Sequence, residues 1–468
     1  MSPSFFSNVK NFFFKNPAPL LVFCIAIIIW ALFYPAYMNA DAISQYSQAL
    51  TRVYDDWHPP IMSILLHYVF AVDGDVSTLT FIQTVSGCLG IYFLAREIML
   101  VKEAARKKIT WYPLYILLIL LLPISPLPFY LMNFVKDSWI LIGLIWIAYL
   151  GLKLTKVTSK KGKSYSLVFT IVVLLMGSLF LIRYNAIVLL PIFFMLLLYN
   201  SKRLSNPKES IIPVILWCLL PFFFYLVVQK QFYAAFSVKK VYPENQVMAI
   251  ESVGALVADL DNEKYVSYVK SHLTPNFKEV YYPGNVASVM NWAGSEKTVN
   301  QQTFNIADEH IKPEYFSLVM HAPITIAKIK MEGFYNMLKP STRKYWYHKQ
   351  LDPNDLGLAQ NETFKSIRSG WQSAADRIHS LMLTNLIGGE HFIWLLMNIA
   401  LLIQMIRKKQ MRSMLFIILL LPLAYYFSYL LAITSDDFRF MYPATLLVQV
   451  VALSLLFSRK KIETILAC

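Results

Sequence analysis

Glycine is scarce, with 15 in 468 residues, and no glycine-rich stretch has the spacing of a phosphate-cradling loop, which argues against a nucleotide-binding domain. Cysteine is scarcer still. Cys24, Cys88 and Cys218 lie inside apolar runs and Cys468 is the last residue, so neither a disulfide framework nor a metal-ligand spacing can be drawn from them. Only 15% of the residues are charged, and no internal repeat or low-complexity tract is visible.

What fills the chain instead is apolar. Hydrophobic residues make up 57% and the mean hydropathy is +0.48, above the roughly 45–50% of an ordinary soluble protein. Aromatic residues, 15% of the total, gather at the ends of apolar runs, where amphipathic rings suit the headgroup layer. The expectation is an all-α membrane protein.

Runs long enough to cross roughly 30 Å of hydrocarbon fall near residues 18–37, 77–100, 110–128, 137–152, 166–183, 186–200, 210–229, 391–406, 413–433 and 440–457. That predicts about ten transmembrane helices. Lys10 and Lys15 precede the first run as they would in a signal peptide, but bulky Trp30, Phe33, Tyr34 and Tyr37 stand where a small-residue cleavage site would be. The first run therefore reads as an uncleaved span.

Basic residues sit in alternate short loops: the N-terminal segment, 102–108, 153–163, 202–208, 407–412 and 459–461. By the positive-inside rule these face the cytoplasm, both termini with them. The net charge of +15 is thus read as orientation, and nucleic acid is not an expected partner.

On this reading the outer side carries a first loop at 38–76 and one large segment, 230–390, between an N-terminal module (1–229) and a C-terminal module (391–468). The large segment, with turn clusters at Tyr282–Asn285 and Lys339–Thr342, is predicted to be a mostly helical extracytoplasmic domain. Residues 61–72, after Pro59 and Pro60, are too short to span and predict an interfacial or re-entrant helix. Residues 315–334, which include His321, Lys328 and Lys330, predict an amphipathic surface helix.

The outer loops hold ionisable residues right beside the bilayer, where charge is costly and a site is the default hypothesis. Asp41 has the chemistry of a general base toward a sugar hydroxyl, or equally of a helix N-cap. In the run from Tyr54 to Pro60, Asp55, Asp56, Trp57 and His58 suit substrate hydroxyl, phosphate or sugar-face contacts, whereas one histidine and two adjacent acids make a weak metal signal. Lys136 and Asp137 open the fourth span and Arg183 closes the fifth, so both ends meet the same boundary, suited to an anionic phosphate or to simple snorkelling. Asp436, Asp437, Arg439 and Tyr442 lie at the outer end of the last hairpin, as further phosphate ligands or as a structural pair closing the bundle. The cluster from Arg343 to His348 suits an interfacial belt or glycan stacking.

An outward Asp after the first span, a His-Pro turn, Lys-Asp at the fourth span and a late Asp-x-Arg-x-x-Tyr-Pro run together resemble the GT-C superfamily of membrane glycosyltransferases, in particular bacterial members with an Asp-Trp-His-Pro first loop. The resemblance implies a GT-C-like bundle, a polyprenyl-phosphate sugar donor and a glycan, lipid or protein acceptor of the cell envelope, with membrane lipids around the bundle. It implies Asp41 as the catalytic acid of the first loop, His58 and Pro59 as the turn, and Lys136, Asp137 and Arg439 around the donor phosphate. The likeness covers the spans and their loops but not residues 240–390. The chain departs from the family in lacking a first-loop Asp-x-Asp or Glu-Asp pair, so a divalent-metal requirement does not carry over from the resemblance and a divalent cation is left as an option. Two other readings use the same features: a glycan polymerase or ligase acting on lipid-diphosphate oligosaccharides, and a lipid-linked-sugar flippase or transporter, which would favour repeated halves and charge at the midplane.

Overall fold

The computed structural model describes residues 17–100, 111–123, 125–156, 163–202, 211–285, 296–338, 351, 353–379, 391–431, 433 and 437–458. Among these the regular structure is helical, with no strand beyond isolated bridges. Each predicted apolar run coincides with a helix: Pro17–Phe33, Ser77–Met99, Tyr112–Leu121, Lys136–Lys156, Lys163–Ile182, Leu190–Lys202, Ile211–Ala235, His391–Arg407, Met414–Ser428 and Tyr442–Phe457. Two of them, Ser77–Met99 and Lys136–Lys156, are by themselves long and apolar enough to cross a membrane.

Several runs are shorter as helices than as apolar stretches. The first ends at Phe33 because Pro35 denies the helix an amide donor, and residues 34–39 leave it as an irregular segment. The third ends at Leu121, ahead of Pro123 and Pro126, and a six-residue helix, Leu127–Met132, follows. The sixth begins as a 3-10 turn, Tyr184–Leu189. In the other direction, Ile211–Ala235 runs past residue 229, so the large segment that follows starts later than its composition suggests.

The exterior of the bundle is apolar. Leu219, Phe223, Leu226 and Val227 form an exposed stripe at helical spacing, and Leu20, Leu21 and Ile28 and Leu167, Ile171 and Leu174 do the same on two other helices. The interior carries polar groups, many of them bonded to nearby backbone as a low-dielectric interior favours. Asn398, fully buried, donates to the Leu419 carbonyl at 3.1 Å. Such stripes are far larger than the scattered apolar residues of a water-soluble surface.

Residues 61–72, predicted as an interfacial or re-entrant helix, form one helix, Ile61–Asp73, with Pro60 as its N-cap residue and Pro59 just before it, where a missing amide hydrogen is no loss. The stretch 315–334 is two helices, Ile311–His321 and Pro323–Leu338, because Pro323 cannot continue the first. Together with Pro243–Ala258 they enclose a second core of Val247, Ile250, Val253, Leu256, Leu318 and Ile329, against which Trp57 of the first loop packs.

This second unit packs closely on the last hairpin. Ile433 sits against Gly284 and Gly333; a Cβ added at Gly284 would meet Ile433 Cγ2 at 2.6 Å, and one at Gly333 would meet Ile433 Cδ1 at 3.1 Å. Gly284 also has φ +74°, a conformation that favours glycine. Beside it Lys330 Nζ pairs with Glu251 Oε1 at 2.6 Å and donates to the Leu431 carbonyl at 3.2 Å.

Candidate active site

The first loop is held against the start of the Lys136–Lys156 helix by main-chain bonds. The Tyr37 amide donates to Met132 O at 2.9 Å and the Phe134 amide to Tyr37 O at 3.0 Å. From the Ser77–Met99 helix, buried Gln83 Nε2 donates to Leu131 O (2.7 Å) and Asn133 O (3.0 Å), and Ser138 Oγ donates to Tyr130 O (2.6 Å). Carbonyls freed by the break between helices thus find side-chain donors instead of water. The consequence is a fixed approach of the first loop to Lys136.

Asp41 is not the cap of the helix Ala40–Thr51. That role belongs to Asn39, whose Oδ1 accepts from the Ala42 amide at 2.9 Å. Asp41 sits in the first turn, where a carboxylate is favoured by the helix dipole, and its side chain reaches outward. Arg439 Nη2 lies 2.5 Å from Asp41 Oδ2, and His58 Nε2 lies 3.4 Å from Asp41 Oδ1.

His58 in turn stands 2.6 Å from Lys136 through its Nδ1. When Lys136 is protonated it can only donate, so Nδ1 then accepts and the ring proton lies on Nε2, facing Asp41. Burial and the neighbouring Lys136 hold the His58 pKa below the usual imidazole range, against the pull of Asp41. Burial pushes the Asp41 carboxyl up, but Arg439 and then His58 outweigh it and hold the carboxyl well below its ordinary range. Asp41 is therefore an anion beside a neutral imidazole at neutral pH.

Arg439 is fixed from behind. Asp437 Oδ1 accepts from the Arg439 amide at 3.1 Å and Asp437 Oδ2 lies 2.7 Å from Arg439 Nε, a local turn that aims the guanidinium at the first loop. The turn is itself held by His391, fully buried, which donates from Nε2 to Phe438 O at 2.8 Å and meets Thr445 Oγ1 at 2.6 Å through Nδ1.

A second pair lies beside the first. Arg183 Nη1 bonds Asp137 Oδ1, and Arg183 Nε donates to Asn185 Oδ1 at 3.1 Å, with Asn185 Nδ2 on Ser428 Oγ at 3.0 Å. The Phe440 ring lies 4.5 Å from Arg183 Cζ and 5.1 Å from Arg439 Cζ, so both guanidinium groups make cation–π contact with it.

Other residues named from sequence have different surroundings. Asp55 Oδ1 accepts from the Trp57 amide at 3.0 Å, and Asp56 Oδ1 accepts from the Val241 amide at 2.7 Å. These carboxylates shape the loop and tie it to the start of the second unit, while Trp57 packs against that unit's core. Tyr442 is fully buried, stacked on Tyr130 at 4.3 Å with its hydroxyl 3.5 Å from Ser125 Oγ, behind the charged groups. Asp436 and the cluster at 343–348 lie outside the described residues. Asn39, Gln83, Asn185, His391 and Phe440 went unnoticed in the sequence; Asn185 and Phe440 at least adjoin the two arginines closely enough to have been suspected.

Comparison with protein-family models, with curated proteins and with solved structures found no match. Among the described residues no three of His, Cys, Asp and Glu gather at metal-holding distance. Asp41, Asp137 and Asp437 are each engaged by a guanidinium, so the donor set does not suit a divalent cation.

Proposed function

We propose that this chain is a membrane glycosyltransferase with about ten spans, transferring a sugar from a polyprenyl-phosphate carrier to a glycan, lipid or protein of the cell envelope on the outer face. The observation that carries the reading is the meeting of Asp41, His58, Lys136 and Arg439, contributed by four separate segments, at one end of an apolar bundle. Ionisable groups at such a boundary are costly and are retained for use. The apolar exterior and the alternation of basic loops support the membrane setting and the orientation.

In the proposed reaction the acceptor hydroxyl oxygen bonds to the anomeric carbon while the bond from that carbon to the phosphate oxygen breaks. The polyprenyl phosphate leaves with the electron pair, and the hydroxyl proton passes to Asp41. Lys136 and Arg439 meet the negative charge on the leaving phosphate, a role in which pre-aimed donors count most. Arg183, already engaged by Asp137 and Asn185, is a positioning residue. His58 orients Asp41 and Lys136 relative to each other.

The test is label transfer by the purified chain in lipid nanodiscs, from radiolabelled polyprenyl-phosphate monosaccharides to an envelope extract. Wild type should transfer label from one such donor, and Asp41→Asn should lower the rate by about 10²–10⁴-fold, the usual contribution of a general base. Equal rates for the two proteins would remove Asp41 from the chemistry. Failure of wild type with every monosaccharyl phosphate, together with transfer from a lipid-diphosphate oligosaccharide, would move the chain to the polymerase or ligase class.

A further inference from the structure

Charge in the cluster is unevenly distributed. Arg439 is shared by two carboxylates, Asp41 at 2.5 Å and Asp437 at 2.7 Å. Lys136 has none: among the described residues its polar partner is the neutral ring of His58 at 2.6 Å, and no carboxylate oxygen lies within 4.0 Å of its Nζ. The three cations Lys136, Arg183 and Arg439 face the three carboxylates Asp41, Asp137 and Asp437, so the group as a whole is close to neutral. A phosphate cannot join it as it stands without adding uncompensated charge at low dielectric.

One of the carboxylates is placed to give way. The Asp41 side chain is 21% exposed, whereas Asp437 is 7% and Asp137 is 0% exposed. Asp137 is locked to Arg183, and Asp437 is bound into the turn that carries Arg439. Asp41 touches Arg439 with one oxygen only, from a helix on another part of the chain.

We propose that Asp41 is a built-in occupant of a phosphate seat formed by Arg439 and Lys136, and that the phosphate of an isoprenyl phosphate displaces it. This rests on the donor class in the reading above and adds how the site is regulated. When the phosphate arrives, Arg439 exchanges a carboxylate for a phosphate oxygen and Lys136 gains its first anionic partner. Asp41 swings free of the guanidinium that had kept it a weak base. The carboxylate becomes a competent proton acceptor only once a donor is present, which would protect the site from idle chemistry on water. No bond is made or broken in the exchange.

The sign of one measurement decides it. Binding of farnesyl phosphate to the full chain in detergent or nanodiscs is measured by calorimetry, with farnesol to isolate the tail and inorganic phosphate to isolate the head. Asp41→Asn removes the competitor, so farnesyl phosphate should bind about tenfold more tightly than to wild type, equivalent to ~1.4 kcal/mol. Farnesol should not distinguish the two proteins, and Arg439→Gln should weaken farnesyl phosphate binding. Asp41→Ser tests the same sign should the Asn variant fold poorly. If both Asp41 variants bind farnesyl phosphate no more tightly than wild type, Asp41 is not a displaced occupant, and the proposal fails while sugar transfer is untouched. If inorganic phosphate alone reproduces the full gain, the seat serves free phosphate and the lipid part of the proposal fails. Tighter binding in the variants from a protein that transfers no sugar would leave the seat standing and overturn only the glycosyltransferase reading.

Discussion

Two aspartate–arginine pairs lie side by side in this bundle and differ in almost everything but chemistry. Asp137 and Arg183 are 0% and 9% exposed, and the arginine is further engaged by Asn185 and by the face of Phe440. Asp41 and Arg439 are joined across 398 residues, and the carboxylate is 21% exposed. The carboxylate of the first pair is closed off from solvent; that of the second is partly open to it. An ion pair is therefore a poor indicator of function by itself, and the more useful question is which partner can leave.

The comparison breaks most visibly at the sealed pair. Asp137→Asn leaves a buried guanidinium without its counter-charge and should cost about 3–5 kcal/mol of stability, read as a fall in the melting temperature of the detergent-solubilised protein. Combining it with Arg183→Gln should recover part of the loss, because the stranded charge is then gone. A wild-type melting temperature for Asp137→Asn would mean that the two pairs do not differ in kind.

Phe440 tests whether the pairs are separate. Its ring is in cation–π contact with both guanidinium groups, so Phe440→Leu removes two contacts of about 0.5–2 kcal/mol each while keeping most of the apolar volume. A modest loss of stability with a larger loss of anion binding would mark the ring as a spacer that keeps Arg439 aimed at Asp41. Equal losses in both would reduce it to packing.

The smallest effect belongs to the open pair and is one of pH. The Asp41 carboxyl is depressed in the folded protein, so its contribution is fully present above the ordinary carboxylate pKa of about 3.9 and is lost only as pH falls through the depressed value. The melting-temperature gap between wild type and Asp41→Asn, at most about 1 kcal/mol for a partly exposed pair, should be constant from pH 8 to pH 5 and close below that. A gap that closes near pH 6 would mean that a different group governs the pair.

Much of the frame was legible because apolar length and helix-breaking prolines are local properties. Every predicted run carries a helix, and several of the misplaced boundaries trace to prolines: Pro35, and Pro123 with Pro126, among the runs, and Pro323 in the stretch 315–334. The ionisable residues beside the runs were visible for the same reason, since charge is conspicuous next to hydrocarbon. Partnership was not. Whether Arg439 meets Asp41 or Asp56 depends on how the first loop crosses the bundle, and that crossing is set by bonds such as Gln83 to Leu131 O that leave no periodic trace. Asp55 and Asp56 had the right chemistry for a substrate and spend it on amides two residues away and at Val241, a choice made by backbone dihedrals. Asn39 took the cap from Asp41 by standing immediately before the helix Ala40–Thr51.

The methyl groups of Ile433 against Gly284 and Gly333 couple the second unit to the hairpin that carries Arg439. The joint is close-fitting, since a carbon added at Gly284 would meet Ile433 Cγ2 at 2.6 Å. A tilt of that unit therefore pushes on the hairpin and alters the spacing of the charged groups several residues further along.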